Sequence, residues 1–213
     1  MNYIDLTHRV KRQLNVQSLL TKPTTGLVGE IVFDLESNGL SFTSEDPRIH
    51  CIALHFAKDE RTEVFNDERY ASEAKELPMG STYSITTALS HLEVADVIVG
   101  HNIIGFDLPF IRELYPWFNP RGTIIDTLLL SRLYHPNLLD IDKKNAWKNM
   151  PTKLYGSHSL KAYGYRLGVY KGDFGETTDW KEWSQEMQDY CVQDVKVTEK
   201  LCDHFHPYLT GSR

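Results

Sequence analysis

The order of strand and helix patterns in this 213-residue chain predicts an α/β domain built on a mixed sheet. Three strand patterns come first, and strands then alternate with amphipathic helices. Residues 27–35 form the apolar run of a buried strand, and Gly39 marks the turn after it. Residues 50–57 and 61–66 predict two further strands, joined by a hairpin turn at residues 58–60.

Helices and strands alternate through the rest of the chain. Residues 136–183 are rich in Pro, Gly, Asn and Lys, which predicts mostly loop with one short helix near residues 159–167. A long final helix is expected over residues 184–205, ended by Pro207. Between the third strand and the loop, the pattern predicts a helix with its apolar stripe at residues 85–92, a strand at 94–100, a helix at 108–114, a strand at 123–126 and a helix at 128–133.

The chain is expected to form one domain over residues 27–213, preceded by an appendage at residues 1–26. Apolar residues recur at helical spacing in the appendage, and residues 22–26 have the composition of a linker. A short helix packed on the outside of the domain and a partner-binding segment both fit this pattern.

Composition excludes several classes of protein. The chain has 23 Lys and Arg against 29 Asp and Glu, a net charge of −6, which argues against a protein that coats nucleic acid by positive charge. No apolar run approaches the roughly 20 residues that cross a bilayer, so no membrane partner is expected. The start of the chain lacks the plan of a signal peptide, and its 3 cysteines are too few for a disulfide scaffold or a zinc site. A reducing cytoplasm fits best.

Two carboxylates lie at the carboxyl end of the first predicted strand. Asp34 and Glu36 are two residues apart, so their side chains share one face of the strand. Ligand sites in α/β sheets collect at the carboxyl ends of strands. The alternative is a strand that ends in solvent, since residues 37–39 have the composition of a turn.

A third carboxylate interrupts the apolar stripe of the last predicted helix. An unpaired buried carboxylate is costly, so Asp194 requires a cation, a metal ion or a proton. Tyr190, one turn earlier, points to the same side. A structural aspartate held by backbone groups or an arginine is the alternative. The stripe consists of Met187, Tyr190, Cys191, Asp194, Val197, Thr198, Leu201 and Phe205.

Two further acids follow predicted strands. Asp107 comes directly before Leu108 and Pro109, where an N-cap and a metal ligand both fit. Asp126 ends the strand at 123–126, and capping or support of neighbouring ligands fits it better than direct metal binding.

Electrostatics favours metal binding if these acids meet. Two carboxylates about 5 Å apart repel by roughly 3 kcal/mol at an effective dielectric constant of 20. Two Mg²⁺ ions about 4 Å apart would remove that repulsion and could stabilise both the attacking water and the leaving oxygen at a phosphodiester. Oxygen ligands also suit Mg²⁺ or Mn²⁺ better than zinc.

These motifs resemble those of the DEDD superfamily of 3′→5′ exonucleases. A tyrosine four residues before the last aspartate marks the DEDDy branch, whereas the DEDDh branch has histidine five residues before it, where this chain has Asp189. The three motifs are Asp34-x-Glu36, His101-Asn102-x-x-x-Phe106-Asp107 and Tyr190-x-x-x-Asp194.

Blocks at residues 125–133, 156–160 and 164–168 are further similar to the proofreading domain of family-A DNA polymerases of podoviruses. The resemblance covers about residues 28–205. It implies an RNase H-like fold, a central mixed five-stranded sheet flanked by helices. It also implies two divalent ions, Mg²⁺ or Mn²⁺, and a single-stranded DNA 3′ end as partner. The chain contains no polymerase domain, so we expect it to act alone or beside a separately encoded DNA polymerase.

The resemblance also implies a role for each site residue. Asp34 would contact both metal ions, Glu36 and Asp194 would complete one metal site, and Asp107 would hold the second ion. Glu36 and Tyr190 would orient the attacking water. The residues that would contact the substrate are Leu40, Asn102 and Phe106.

Two other functions fit the sequence. One is an RNA 3′-exonuclease with the same fold, because the sequence does not decide whether the sugar of the substrate is ribose or deoxyribose. The other is a noncatalytic module that binds a strand end for a polymerase, although such a module has no need to keep its acids.

Overall fold

A computed structural model of the chain describes residues 29–39, 46–66, 84–145, 147–169 and 181–212. A five-stranded sheet with the order β3-β2-β1-β4-β5 forms its centre. β1 pairs antiparallel with β2 and parallel with β4, so the sheet is mixed, as the sequence predicts. The strands are β1 (Glu30–Ser37), β2 (Ile49–Phe56), β3 (Arg61–Phe65), β4 (Val97–Gly100) and β5 (Thr123–Asp126).

Helices follow the strands in the predicted order, with one addition. The described helices are α1 (Ile85–Val94), α2 (Asp107–Leu114), α3 (Thr127–Tyr134), α4 (Leu138–Lys144), α5 (Leu160–Arg166) and α6 (Gln185–Thr210), and a 3-10 turn spans Thr152–Leu154. In the parts of the chain that the structure describes, no helix is both long and apolar enough to span a bilayer. The predicted appendage at residues 1–26, the segment 67–83 and Leu40 lie outside the described residues.

The alternation of β1 assigns each side chain to one face of the sheet. Ile31, Phe33 and Leu35 are buried in the cluster that contains the apolar sides of α1 and α2. Val32 is buried in a second cluster, with Cys191 and other residues of α6. The residues that follow Val32 at intervals of two, Asp34 and Glu36, therefore share the face of the sheet that α6 covers.

The prediction of mostly loop for residues 136–183 is wrong at α4. This helix has only seven residues, and its buried residues are Leu138, which packs in an apolar cluster with α5 and α6, and Asp142. Arg166 binds both oxygens of Asp142, at 2.9 and 2.7 Å, and the indole of Trp147 donates to the same carboxylate at 2.9 Å. These contacts join α4 to α5 across more than 20 residues, which a local sequence pattern cannot show.

The last helix is longer than predicted. It begins after Ser184, whose hydroxyl accepts from the Met187 amide, and it continues through Pro207 to Thr210. Proline lacks an N–H but adopts helical φ, and the carbonyl of Pro207 still accepts from the amide of Gly211. The helix ends at Gly211 because that residue adopts the left-handed φ of +70° that glycine allows.

The side of α3 that faces the domain carries two buried hydroxyl groups. Its buried residues are Thr127 and Ser131, whereas Leu129 and Leu133 are 48% and 64% exposed. The two hydroxyls hold the helix to the domain through hydrogen bonds. Thr127 donates to the carbonyl of Gly100 at 3.1 Å, and Ser131 lies 2.5 Å from the hydroxyl of Tyr163.

Candidate active site

The candidate site lies at the carboxyl end of β1, beneath α6. Pairing between β1 and β4 ends at Val32, so Asp34 and Glu36 lie beyond the end of that ladder. On the other edge of β1, Glu36 is the register partner of Cys51 in β2. Glu36 is buried, whereas Asp34 keeps a partly exposed side chain, so the site has access to solvent.

Helix α6 packs directly on these acids. The thiol of Cys191 donates to the backbone carbonyl of Asp34 at 3.4 Å. One ligand atom from each of Asp34, Glu36 and Cys191 lies within 4.8 Å of the other two. Asp194, one turn after Tyr190 on the same helix, is close enough to raise the pKa of both Asp34 and Glu36 by its charge.

Asp107 approaches the group from α2. It is only 4% exposed, and the backbone of Leu35 and its own backbone partly offset the rise in its pKa. Asp107 is the first residue of the helix, and Phe106 occupies the cap position without a side-chain bond. Of the two roles that the sequence allows for Asp107, capping is therefore excluded. The influence of the Leu35 backbone on the pKa of Asp107 shows that the start of α2 lies beside the part of β1 that carries Asp34 and Glu36.

The electrostatics of the four acids is that of an uncompensated cluster. Burial, followed by the charges of the other three acids, raises the pKa of Asp34 well above its usual value. Burial also raises the pKa of Glu36 to about 9, with smaller contributions from Cys51, Asp194 and Asp107. For Asp107 and Asp194, burial raises each pKa to about 7. In the absence of a cation, the cluster therefore retains protons at neutral pH.

The donor set fits hard divalent cations. The charges of Asp107 and Asp194 act on both Asp34 and Glu36. Among the described residues, every charged group that acts on Asp34 or Glu36 raises the pKa, so no basic side chain there compensates these two carboxylates. Mg²⁺ and Mn²⁺ prefer oxygen ligands and would supply the missing positive charge. Asp34, Glu36, Asp107 and Asp194 are the residues that could hold such ions.

Tyr190 is held as a neutral donor. Burial, followed by the charge of Asp194, raises the pKa of its hydroxyl above the usual value. The hydroxyl is hydrogen-bonded to Asp194 and lowers the pKa of that carboxyl. Tyr190 is therefore protonated at neutral pH in the metal-free protein, and its hydroxyl can donate a hydrogen bond.

The predicted substrate contacts have different environments. Asn102 lies in the loop after β4 with a left-handed φ of 65°, and its side chain folds over Gly105, where an added Cβ would lie 2.6 Å from the amide oxygen. Phe106 stacks on Phe110 with ring centroids 5.7 Å apart and packs against the core, so only part of it faces solvent. Leu40 lies outside the described residues.

Among the described residues, the charge of Asp126 does not contribute to the pKa of Asp34 or of Glu36. Its Oδ1 accepts from the amides of Leu128 and Leu129 at 2.9 and 3.3 Å, so it caps α3, as the sequence favours. Sequence reasoning missed Cys51 and Cys191, which lie beside the acids and of which Cys51 raises the pKa of the Cys191 thiol. The available signal was that Cys191 shares the stripe of Asp194 on α6.

Comparison with known proteins identifies relatives over most of the chain. A family model described as RNase H superfamily matches residues 31–206. The DNA-directed DNA polymerase of Enterobacteria phage T3 is 31% identical over 195 residues, which is 81% of this chain and 26% of that polymerase. The polymerase of Escherichia phage T7 is 40% identical over 129 residues, 50% of this chain and 18% of that protein. The chain thus spans about a quarter or less of the length of these relatives.

A solved structure shares the fold. Brucella melitensis NrnC superposes with a TM-score of 0.53 at 17% identity, covering 88% of this chain and 76% of NrnC. NrnC with bound Mg²⁺ gives a TM-score of 0.52 over the same shares. At this identity the likeness concerns the fold alone.

The two phage matches confirm the predicted resemblance to the proofreading exonuclease domain of podovirus-type polymerases.

Proposed function

The chain belongs to the RNase H superfamily, and from this membership we propose that it is a metal-dependent 3′→5′ exonuclease of the DEDDy type. Its substrate would be the 3′ end of single-stranded DNA, and its products 5′-mononucleotides. The observation that carries the proposal is the grouping of acids from β1, α2 and α6, so close together that the charges of Asp107 and Asp194 raise the pKa of both Asp34 and Glu36. Structural acids are normally neutralised by a base, whereas these repel one another.

In the proposed site, Asp34, Glu36, Asp107 and Asp194 hold two divalent ions, Mg²⁺ or Mn²⁺. When bound, the ions supply Lewis acidity, which lowers the pKa of water and neutralises charge that develops at the phosphodiester. The partial exposure of Asp34 and Asp194 leaves room for a strand end to approach the carboxylates.

The remaining residues orient the reactants. The Tyr190 hydroxyl donates to Asp194. We assign Tyr190 and Glu36 the role of orienting the attacking water. Asn102 and Phe106 belong to the loop that leads to Asp107, and we assign them contacts to the terminal nucleotide. For Leu40 the same assignment rests on the sequence resemblance alone.

We propose DNA as the substrate because the two phage relatives are DNA polymerases. We further propose that the protein works in the cytoplasm of a bacterial or phage-infected cell, beside a DNA polymerase. An RNA substrate is the competing proposal, and matched DNA and RNA oligonucleotides separate the two, since only contacts near the ribose read the 2′-hydroxyl.

The proposal is tested with a 5′-labelled single-stranded oligonucleotide and Mg²⁺ or Mn²⁺. We expect a ladder that shortens from the 3′ end and disappears in EDTA. Asp34→Ala should abolish the ladder. Asp59→Asn serves as the matched control, because Asp59 is an exposed acid in the turn before β3 that pairs with Arg61. An Asp34→Ala protein as active as wild type would exclude the proposed active site. If wild type and Asp34→Ala both bind the strand end and neither cleaves it, the noncatalytic module is favoured.

A further inference from the structure

Asp126 makes more hydrogen bonds than its cap of α3 requires. It is the last residue of β5 and is only 5% exposed. Besides the amides of Leu128 and Leu129, its carboxylate accepts from two amides of the preceding loop. Asn102 donates to Oδ1 at 3.0 Å, and Ile104 donates to Oδ2 at 3.0 Å.

The two pairs of bonds serve different segments. A helix cap needs one side-chain oxygen directed at the second or third amide of the helix, and Oδ1 meets that need alone. Within the described residues, Oδ2 accepts a hydrogen bond only from the loop between β4 and α2. A serine or asparagine would be sufficient to cap the helix, so a carboxylate at this position provides one acceptor beyond that need.

The loop that Asp126 binds leads directly to Asp107. Its turn is closed by the carbonyl of Asn102, which accepts from the amides of Gly105 and Phe106 at 3.0 and 2.9 Å. The amide of Leu108 then donates to the carbonyl of Ile103 at 2.9 Å, which joins the loop to the first turn of α2. Fixing the amides of Asn102 and Ile104 therefore fixes where α2 begins.

We propose that Asp126 is a positioning residue of the exonuclease site, which holds the loop at residues 101–106 so that Asp107 meets Asp34. The inference rests on the proposed function. Asp126 itself touches neither metal nor substrate. The charge of Asp126 also raises the pKa of Asp107 directly. Its positioning effect passes through the Asn102 and Ile104 amides to the Asp107 carboxylate, and secondarily to the side chains of Asn102 and Phe106, so hydrogen exchange at the two amides reports that effect apart from the charge.

Asp126→Asn tests the inference while preserving the cap. Asparagine caps helices as well as aspartate does, and its oxygen can still accept from Leu128 and Leu129. Its NH₂ group then faces the Ile104 amide, donor against donor. We expect kcat to fall by about 10–100-fold, as is usual when partners of metal ligands are removed. The Mg²⁺ concentration for half-maximal activity should rise several-fold, while KM for the oligonucleotide changes little.

A cap elsewhere in the fold provides the matched control. Ser159 caps α5 by accepting from the Ala162 amide at 3.3 Å, far in sequence from the loop. Ser159→Ala should lower the melting temperature and leave the Mg²⁺ requirement unchanged. An Asp126→Asn protein with the kcat and Mg²⁺ requirement of wild type overturns the positioning role and leaves the proposed function intact.

Amide hydrogen exchange gives a readout independent of cleavage. The Asn102 and Ile104 amides should exchange faster in Asp126→Asn than in wild type, and the buried amides of β2 should not change. If wild type cleaves no oligonucleotide, the proposed function fails, and this measurement still decides whether Asp126 holds the loop. If Asp126→Asn does not fold, Asp126→Ser keeps a cap with one short hydroxyl, and the same two readouts apply. Unchanged exchange at both amides overturns the inference.

Discussion

At the scale of single residues, burial and mutual charge act on the same side chains. A carboxylate removed from water favours its protonated form, and a second carboxylate nearby adds to the effect. Both causes raise the pKa of Asp34, and the positive charge of a bound divalent cation would offset both. The folded protein without metal therefore carries a destabilising cluster that is useful only when cations are present.

Asp194→Asn should separate function from stability. We expect exonuclease activity to fall by about 100-fold or more, because a charged ligand is lost. In EDTA near neutral pH, the free energy of unfolding should rise, since a repelling carboxylate is replaced by a neutral amide. Labelled-oligonucleotide assays and urea denaturation measure the two effects. Asp189→Asn, an exposed acid on the same helix, should change neither. A loss of stability in EDTA would contradict this account.

Tyr190→Phe should weaken the site without removing a ligand. The phenol hydroxyl bonded to Asp194 is lost, and one such bond to a charged group contributes about 1.5–3 kcal/mol. We therefore expect kcat to fall by roughly 10–100-fold with the metal requirement preserved. The pKa of Asp194, which this bond lowers, should rise in the metal-free protein, as measured by carboxyl-carbon NMR titration. An unchanged kcat would exclude Tyr190 from the reaction.

At the scale of secondary-structure elements, the sequence predicts what depends on periodicity. Alternation in β1 and the stripe of α6 are local patterns, and they allow the acids of both elements to be predicted on one side of the sheet. Elements held by distant partners escape such reasoning. Helix α4 depends on the pair of Asp142 and Arg166, and the buried side of α3 depends on the hydroxyls of Thr127 and Ser131.

The same division holds within the candidate site. The types and spacing of Asp34, Glu36 and Asp194 are visible in the sequence because carboxylates break apolar patterns. The thiols of Cys51 and Cys191 are not, since cysteine belongs in a buried stripe. The bonds of Asp126 to the loop are also invisible to sequence reasoning, because they depend on β4 and β5 being neighbours in the sheet.

Asp142→Ala should destabilise the protein strongly. The side chains of Asp142 and Arg166 are 0% and 5% exposed, so the substitution leaves a buried guanidinium without its partner. Breaking a buried pair in this way costs about 3–5 kcal/mol. Chemical denaturation measures the change, and Asp140→Ala, an exposed acid of the same helix, should have little effect. The double variant Asp142→Ala with Arg166→Met should recover part of the loss. A loss as small as that of the control would contradict a structural role for the pair.

At the scale of the whole molecule, one face of the sheet is filled by α1 and α2, and the other face holds α6 together with Asp34, Glu36 and Asp194. The protein has a net charge of −6, and nucleic acid is also negative. A productive encounter therefore depends on cations at the site rather than on a basic surface. The pH dependence of stability reports the charge of that site directly.

Without metal, the free energy of unfolding should fall as pH rises from about 7 to about 9. The pKa of Glu36 is raised to about 9 and that of Asp34 is raised well above its usual value, so the folded state keeps protons that the unfolded chain has lost above about pH 5. Stability is therefore lost as pH increases through this window, which lies above the usual pKa of histidine. Urea denaturation in EDTA measures the slope.

Two comparisons check the origin of that slope. Mg²⁺ should raise the melting temperature more at about pH 9 than at about pH 7, because the cluster binds cations best when it is ionised. Glu36→Gln should flatten the slope in EDTA, since it removes one group with a raised pKa. A stability that rises with pH, or a slope unaffected by Glu36→Gln, would show that the four acids do not act as a cluster.

The most direct measurement is anomalous scattering from crystals of the protein grown with Mn²⁺ and a deoxynucleoside monophosphate. We expect two peaks about 4 Å apart, bounded by Asp34, Glu36, Asp107 and Asp194, with the phosphate beside them. Crystals with no Mn²⁺ at these four carboxylates, at a concentration that saturates any cleavage, would contradict it.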